Sequence, residues 1–201
     1  MSNLLKYEKV FWQMDQLVIG IDEAGRGPLA GPLVVAGVIL PIGYDHPEIN
    51  DSKKLSLKKR NVLYDVIINE AISFDIEIVE PEIIDRLNIY QATKAAMTKI
   101  ALTLDSQNVL TDAMPLDIDK NIESIIKGDQ KSISIAAASI LAKVTRDRIM
   151  DQYDLIYPQY HFIQNKGYPT RHHLAALETY GRTPIHRMSY APVAKAKRIL
   201  Y

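Results

Sequence analysis

Two apolar runs lying close together constrain this chain most. Leu17 to Asp22 (LVIGID) reads as a buried strand, and Leu33 to Leu40 (LVVAGVIL), rich in β-branched residues, reads as a second. The Gly/Pro-rich connection between them is short, which favours an antiparallel hairpin. Further on, Ser56 to Ile72 carries helical apolar spacing, and Phe74, Ile76 and Ile78 then alternate with polar residues as a strand requires. Pro81 opens a helix expected to run to about Leu104, and Asn108 to Asp112 (NVLTD) is a short strand followed by irregular acidic sequence. Ser134 to Met150 reads as the clearest helix, and Thr170 to Tyr180 begins another. Strands first, then strands alternating with helices, predict a mixed sheet covered by helices, an α/β or α+β layer architecture. Neither an internal repeat nor a long linker divides the chain.

Composition narrows the class. Of 201 residues, 47% are apolar and none is Cys, which excludes wholesale disorder and a disulfide scaffold. The longest apolar stretch, Leu33 to Pro41, falls far short of the roughly 20 residues that span a bilayer. The amino terminus lacks a basic region followed by an apolar core, so a cytoplasmic location is expected. Net charge is zero, but the total hides a split: residues 1 to 130 hold 13 Lys plus Arg against 20 Asp plus Glu, and residues 131 to 201 hold 11 against 4. Such a split suits carboxylates that hold a metal beside cations that hold a phosphate backbone, although the two sets could also simply pair on the surface.

Four acids stand at element ends. Asp22 and Glu23 close the first strand, Asp112 closes a later one, and Asp129 sits in Lys127-Gly128-Asp129. Each alone reads as a solvated or turn residue; together, without Cys or clustered His, they exclude a zinc-type set and favour Mg²⁺ or Mn²⁺. Two such ions can clamp the attacking and leaving oxygens of a phosphodiester. Gly25 and Gly27 flank Arg26 and let backbone approach another chain closely, as reading a ribose 2′-hydroxyl would need. The Walker and dinucleotide patterns are absent. On the long helix Ser139, Lys143 and Arg146 share a polar stripe turned from the apolar one, a phosphate-binding face or merely a solvated one. Lys53, in Asp51-Ser52-Lys53-Lys54, adds cation, with Ser52 or Ser56 as a helix cap. Tyr168, on the Gly/Pro-fixed turn Gly167-Tyr168-Pro169-Thr170 beside Arg171, His172 and His173, offers a stacking ring.

Gly20-Ile21-Asp22-Glu23-Ala24-Gly25-Arg26-Gly27-Pro28-Leu29-Ala30-Gly31-Pro32, Asp51 to Ser56, residues 127 to 148 (KGDQKSISIAAASILAKVTRDR), Gly167 to Thr170 and Pro184-Ile185-His186-Arg187 resemble, in order, the signatures of the bacterial ribonuclease HII family. The resemblance covers most of residues 17 to 193. It implies an α/β fold, a ribonuclease H-like mixed sheet flanked by helices. A short extension (1–16) precedes a catalytic domain (17–201) whose carboxy-terminal part, from about 150, is small and helical. It implies endonucleolytic cleavage of RNA in RNA/DNA hybrids, and cutting 5′ of single ribonucleotides embedded in duplex DNA, leaving 3′-hydroxyl and 5′-phosphate ends, as in ribonucleotide excision repair. Carried over residue by residue, Asp22, Glu23, Asp112 and Asp129 bind two divalent ions, Mn²⁺ or Mg²⁺. Gly25, Arg26 and Gly27 meet the 2′-hydroxyl, and Tyr168 stacks on the following sugar. Lys53, Ser139, Lys143, Arg146 and His173 are expected at phosphates from charge and position. Partners are then RNA/DNA hybrid and ribonucleotide-containing duplex, with no membrane and a monomer as the default. The rivals are a DNA-acting two-metal nuclease of similar fold and a non-catalytic hybrid-binding module. Two departures stand out. Thr111-Asp112-Ala113 replaces the family's Val-Asp-Gly or Val-Asp-Ala, and residues 1 to 16 match no part of the core, with Phe11, Trp12 and Met14 as a remnant of a longer extension.

Overall fold

The computed structural model describes residues 4–197. In chain order its elements are α1 (Glu8–Trp12), β1 (Val18–Ala24), β2 (Leu33–Ile39), α2 (Leu57–Glu70), β3 (Ser73–Val79), α3 (Pro81–Leu87), α4 (Ile89–Thr103), β4 (Asn108–Asp112), β5 (Asn121–Ile125), α5 (Ile133–Ile156), α6 (Phe162–Asn165), α7 (Arg171–Tyr180) and α8 (Ala191–Lys195). The five strands form one sheet in the order β3-β2-β1-β4-β5. β1 and β2 are the expected antiparallel hairpin, β3 pairs antiparallel with β2, and β4 and β5 add parallel on the other side.

β1 and β2 are buried along almost their whole length, because helices cover both faces of the sheet. On one face α5 packs across β1, with α2 beside it, around Val34, Ala36, Val38, Ile140 and Leu141. The approach is close enough that a Cβ on Gly20 would lie 2.2 Å from the Ser134 carbonyl carbon, so β1 needs Gly there. On the other face α4 packs Met97, Ile100 and Ala101 against Ile19, Val35 and Val109. A third cluster gathers Leu29 and Ala30 with Met150, Tyr160, Phe162, Leu177 and Val193, tying the carboxy-terminal helices to the loop after β1.

Three expectations are corrected. The helix from Pro81 breaks at Asn88, whose φ of 65° no helix tolerates; its side chain instead accepts from Gln91 N (3.0 Å) and caps α4. The acidic stretch after Asp112 contains β5, an edge strand too polar and exposed to show alternation. The long helix extends to Ile156 and is buried nearly all round as far as Val144, so its polar stripe is not a solvent face. The amino-terminal segment packs into the body: Leu4 and Leu5 are buried, Leu5 bridges to Ser132, and Glu8 accepts from the Ser132 hydroxyl and from Ser134 N at the start of α5. Residues 198–201 of the expected catalytic domain lie outside the described residues. Among the described residues no helix is long and apolar enough to cross a membrane.

Candidate active site

Parallel pairing fixes the acidic centre. Ile21 of β1 stands opposite Thr111 of β4, so the next residue on each strand, Asp22 and Asp112, reaches the same sheet end. Asp22 is 4% exposed and its carboxylate accepts from Glu23 N (2.6 Å). Asp112 accepts from Gly128 N (2.7 Å), which anchors the 3₁₀ turn Gly128–Gln130 carrying buried Asp129. Ala113 takes φ 50° just after Asp112, and Thr111 donates its hydroxyl to Met114 O (2.5 Å), which holds the strand end in its turn despite the departure from Val-Asp-Gly.

Electrostatics binds these acids into one group. Burial, then Glu23 and Asp112, pushes the Asp22 carboxyl well above its ordinary range. Burial lifts Glu23 to about 7 even though Arg26 (3.6 Å) pulls the other way, and burial with Asp51 raises Asp129. Lys53 is held protonated: burial, which alone depresses an ammonium, is outweighed by Asp129, Asp22, Asp51 and Asp112. Its Nζ lies 3.6 Å from Asp129, with its side chain 77% exposed to an incoming ligand. Asp51, which the sequence presents only within a cationic motif, is a further neighbour. It is buried, accepts from Gln130 Nε2 (3.2 Å) and Lys53 N (2.9 Å), and faces Asp129.

Among the described residues no three or more His, Asp or Glu side chains are already arranged to hold a metal ion. The acids are coupled without being preassembled. Their chemistry nevertheless fits a hard divalent cation. Glu23 Oε2 is buried without a hydrogen-bond partner, Asp22, Glu23 and Asp129 are raised by burial and by neighbouring acids, and the donors are all oxygen.

A cleft of about 300 Å³ opens beside this centre, lined by Glu23, Gly25, Arg26, Gly27, Ser52, Lys53, Ser139, Lys143 and Tyr168. Gly25 holds φ +103°, and a Cβ there would strike Arg146 Nε at 2.2 Å. A Cβ on Gly27 would meet Tyr168 Cε1 at 3.6 Å, ordinary van der Waals contact, so loop and ring adjoin as two walls of the cleft. Tyr168 is 42% exposed, with the Arg146 guanidinium behind its ring at 5.9 Å. Ser139 bonds Ser52 (2.8 Å), leaving helix capping to Ser56, and Lys143 pairs with Asp147 (2.6 Å).

Arg146 and His173 are not where a phosphate contact needs them. Arg146 is buried and donates to the carbonyls of Pro32 (2.9 Å), Ala30 (3.1 Å) and Lys166 (2.9 Å). Burial, then Arg187, brings it down to about 10. His173 is buried between Tyr168 O (3.0 Å) and His186 Nε2 (3.0 Å). Helical spacing assigns a residue to a stripe but does not show what covers that stripe; here residues 30–32 and the carboxy-terminal segment do.

An acidic centre at the ends of two central parallel strands, in a helix-covered mixed sheet with a glycine-bounded cleft beside it, defines a ribonuclease H-like α/β enzyme. The solved ribonuclease H2 of Pyrococcus horikoshii shares this fold, with a TM-score of 0.73 at 25% identity over 89% of this chain and 96% of that one. The family model "Ribonuclease HII" matches residues 19–193. Curated ribonuclease HII proteins of Listeria innocua and Lactobacillus helveticus are 54% and 53% identical, over 96% and 94% of this chain and 75% and 76% of their own lengths. The chain belongs to the ribonuclease HII family.

Proposed function

We propose that the protein cuts the RNA strand of RNA/DNA hybrids, and cuts 5′ of single ribonucleotides embedded in duplex DNA, leaving 3′-hydroxyl and 5′-phosphate ends. One observation carries the reading: Glu23 of the carboxylate centre, the Gly25–Gly27 loop and the Tyr168 ring line a single cleft. Asp22, Glu23, Asp112 and Asp129 would hold two divalent ions, Mg²⁺ or Mn²⁺. Bound there, such ions supply Lewis acidity toward the phosphate and activation of water. The chain's own residues do the rest. Backbone between Gly25 and Gly27 offers donors and acceptors to the 2′-hydroxyl, the group that distinguishes RNA from DNA. Tyr168 packs on the neighbouring sugar, and Lys53 and Ser139 flank the path of the strand, with Lys143 available once it leaves Asp147. The buried pair Arg146 and His173 shapes the cleft from behind. The catalytic domain of residues 17–201, acting as a cytoplasmic monomer, belongs to the same reading.

The test is end-mapping on labelled duplex DNA carrying one ribonucleotide, beside an all-DNA control, with Mg²⁺, Mn²⁺ or chelator. A metal-dependent cut immediately 5′ of the ribonucleotide, absent from all-DNA, is expected. Cutting of the all-DNA control would overturn the ribose reading in favour of a DNA nuclease, and binding without cutting in either metal would leave a hybrid-binding module.

A further inference from the structure

Pro184-Ile185-His186-Arg187 is a sequence motif with no part in the reading above, yet His186 and Arg187 are fully buried and aimed at both walls of the cleft. We propose that this segment is a positioning device that sets the relative placement of the Gly25–Gly27 loop and the Tyr168 ring where both line the cleft, which makes His186 and Arg187 determinants of ribose selectivity. The proposal rests on the reading that this cleft receives the ribonucleotide.

A short backbone ladder joins the three segments. Gly31 N donates to Ile185 O (2.9 Å), Arg187 N to Leu29 O (2.9 Å), and Leu29 N to Gly167 O (2.8 Å), next to Tyr168. Arg187 then grips the loop wall. Its Nε donates to Gly31 O (3.0 Å) and Nη1 to Arg26 O (3.2 Å), the residue between the two glycines, while Tyr190 donates its hydroxyl to the same oxygen (2.6 Å). A planar guanidinium spans two carbonyls at fixed separation, which an ammonium cannot do.

His186 governs the ring wall through a chain with one possible direction. Thr183 N can only donate, so His186 Nδ1 accepts from it (3.0 Å) and the ring proton lies on Nε2. Nε2 therefore donates to His173 Nε2 (3.0 Å), and His173 Nδ1 donates to the Tyr168 carbonyl (3.0 Å), which can only accept. Both ends demand the same pair of neutral tautomers. Burial keeps both rings neutral, with Tyr160 and Phe162 packed on His186 at 5.1 Å and 6.0 Å. Adjacent residues thus fix two different walls, and neither lines the cleft.

The experiment is a double-mutant cycle on the full chain with Mg²⁺ and the single-ribonucleotide duplex. Arg187→Lys loses the two-point grip, and His186→Asn keeps an acceptor for Thr183 N but is too short to reach His173 with its amide. Each is expected to raise KM about tenfold with kcat changed far less, the scale of one or two lost positioning hydrogen bonds. Binding to all-DNA duplex should stay unchanged. In a Tyr168→Ala background, where one wall is gone, either substitution should add little further. Additive effects in that background, or equal weakening on all-DNA duplex, would overturn the proposal. So would loss of folding in both variants, which would make the segment structural only. Failure of the wild-type protein to cut at the ribonucleotide would instead remove the underlying reading. Faster amide exchange at Arg26, Gly27, Leu29 to Gly31 and Tyr168, with global exchange unchanged, would then still report the device.

Discussion

Asp22 sits where a carboxylate is least comfortable, buried and facing Glu23 and Asp112. Asp22→Asn keeps an oxygen to accept from Glu23 N and removes the buried charge. It should abolish metal-dependent cleavage while leaving the thermal midpoint equal to or above that of the parent, a pairing of lost activity with kept stability common at strained sites. Near-parental turnover would count against Asp22 as an ion-holding residue. Gly27 is the converse case, since its Cβ position is open except toward Tyr168 at 3.6 Å. Gly27→Ala should therefore fold normally and raise KM for the ribonucleotide duplex, measured beside unchanged all-DNA binding. Where Asp22, Glu23, Asp112 and Asp129 gather was legible because all four end or precede elements in the sequence. The burial of Arg146 and His173 was not, since the carbonyls that claim them come from residues 30–32, 166 and 168.

At the scale of elements, the legible pieces are those whose own pattern decides them. β1 and β2 are continuous apolar runs, and α5 has a cap at Ser132 with a long periodic stretch after it. β5 takes its conformation from pairing with β4, and its exposed Asn121, Glu123 and Ser124 carry no period. The break between α3 and α4 turns on one residue. Asn88→Ala should cost about 1–2 kcal/mol, combining a lost N-cap with a Cβ at positive φ that lacks the Asn side chain's local bond. Urea unfolding would show it, with cleavage unchanged because Asn88 is absent from the cleft. Gly20→Ala should be harsher, about 3 kcal/mol, because backbone of α5 occupies the space. A variant as stable as the parent would show that β1 and α5 can move apart.

For the whole molecule, two sets of buried groups give stability opposite pH slopes. The raised acids, Glu23 at about 7 with Asp22 and Asp129 moved in the same direction, favour the protonated folded state, so through Glu23 the metal-free protein loses stability as pH rises from about 4.5 through 7. His186, brought down to about 3 by burial and then by His173, favours the neutral folded state, so its contribution is lost as pH falls from 6.5 toward 3. A divalent cation relieves only the first set. The rise in melting midpoint on adding Mg²⁺ should therefore be larger at pH 8 than at pH 5, and smaller in Asp22→Asn; an equal rise at both pH values would show that the acids do not take up the ion. Glu8 has a different kind of consequence. Its partner Ser132 lies 124 residues downstream, so at ordinary translation rates Glu8 leaves the ribosome about 6–25 seconds ahead of the helix start it must seat. Through that interval Leu4 and Leu5 lack their resting place, which leaves this segment bare to a chaperone.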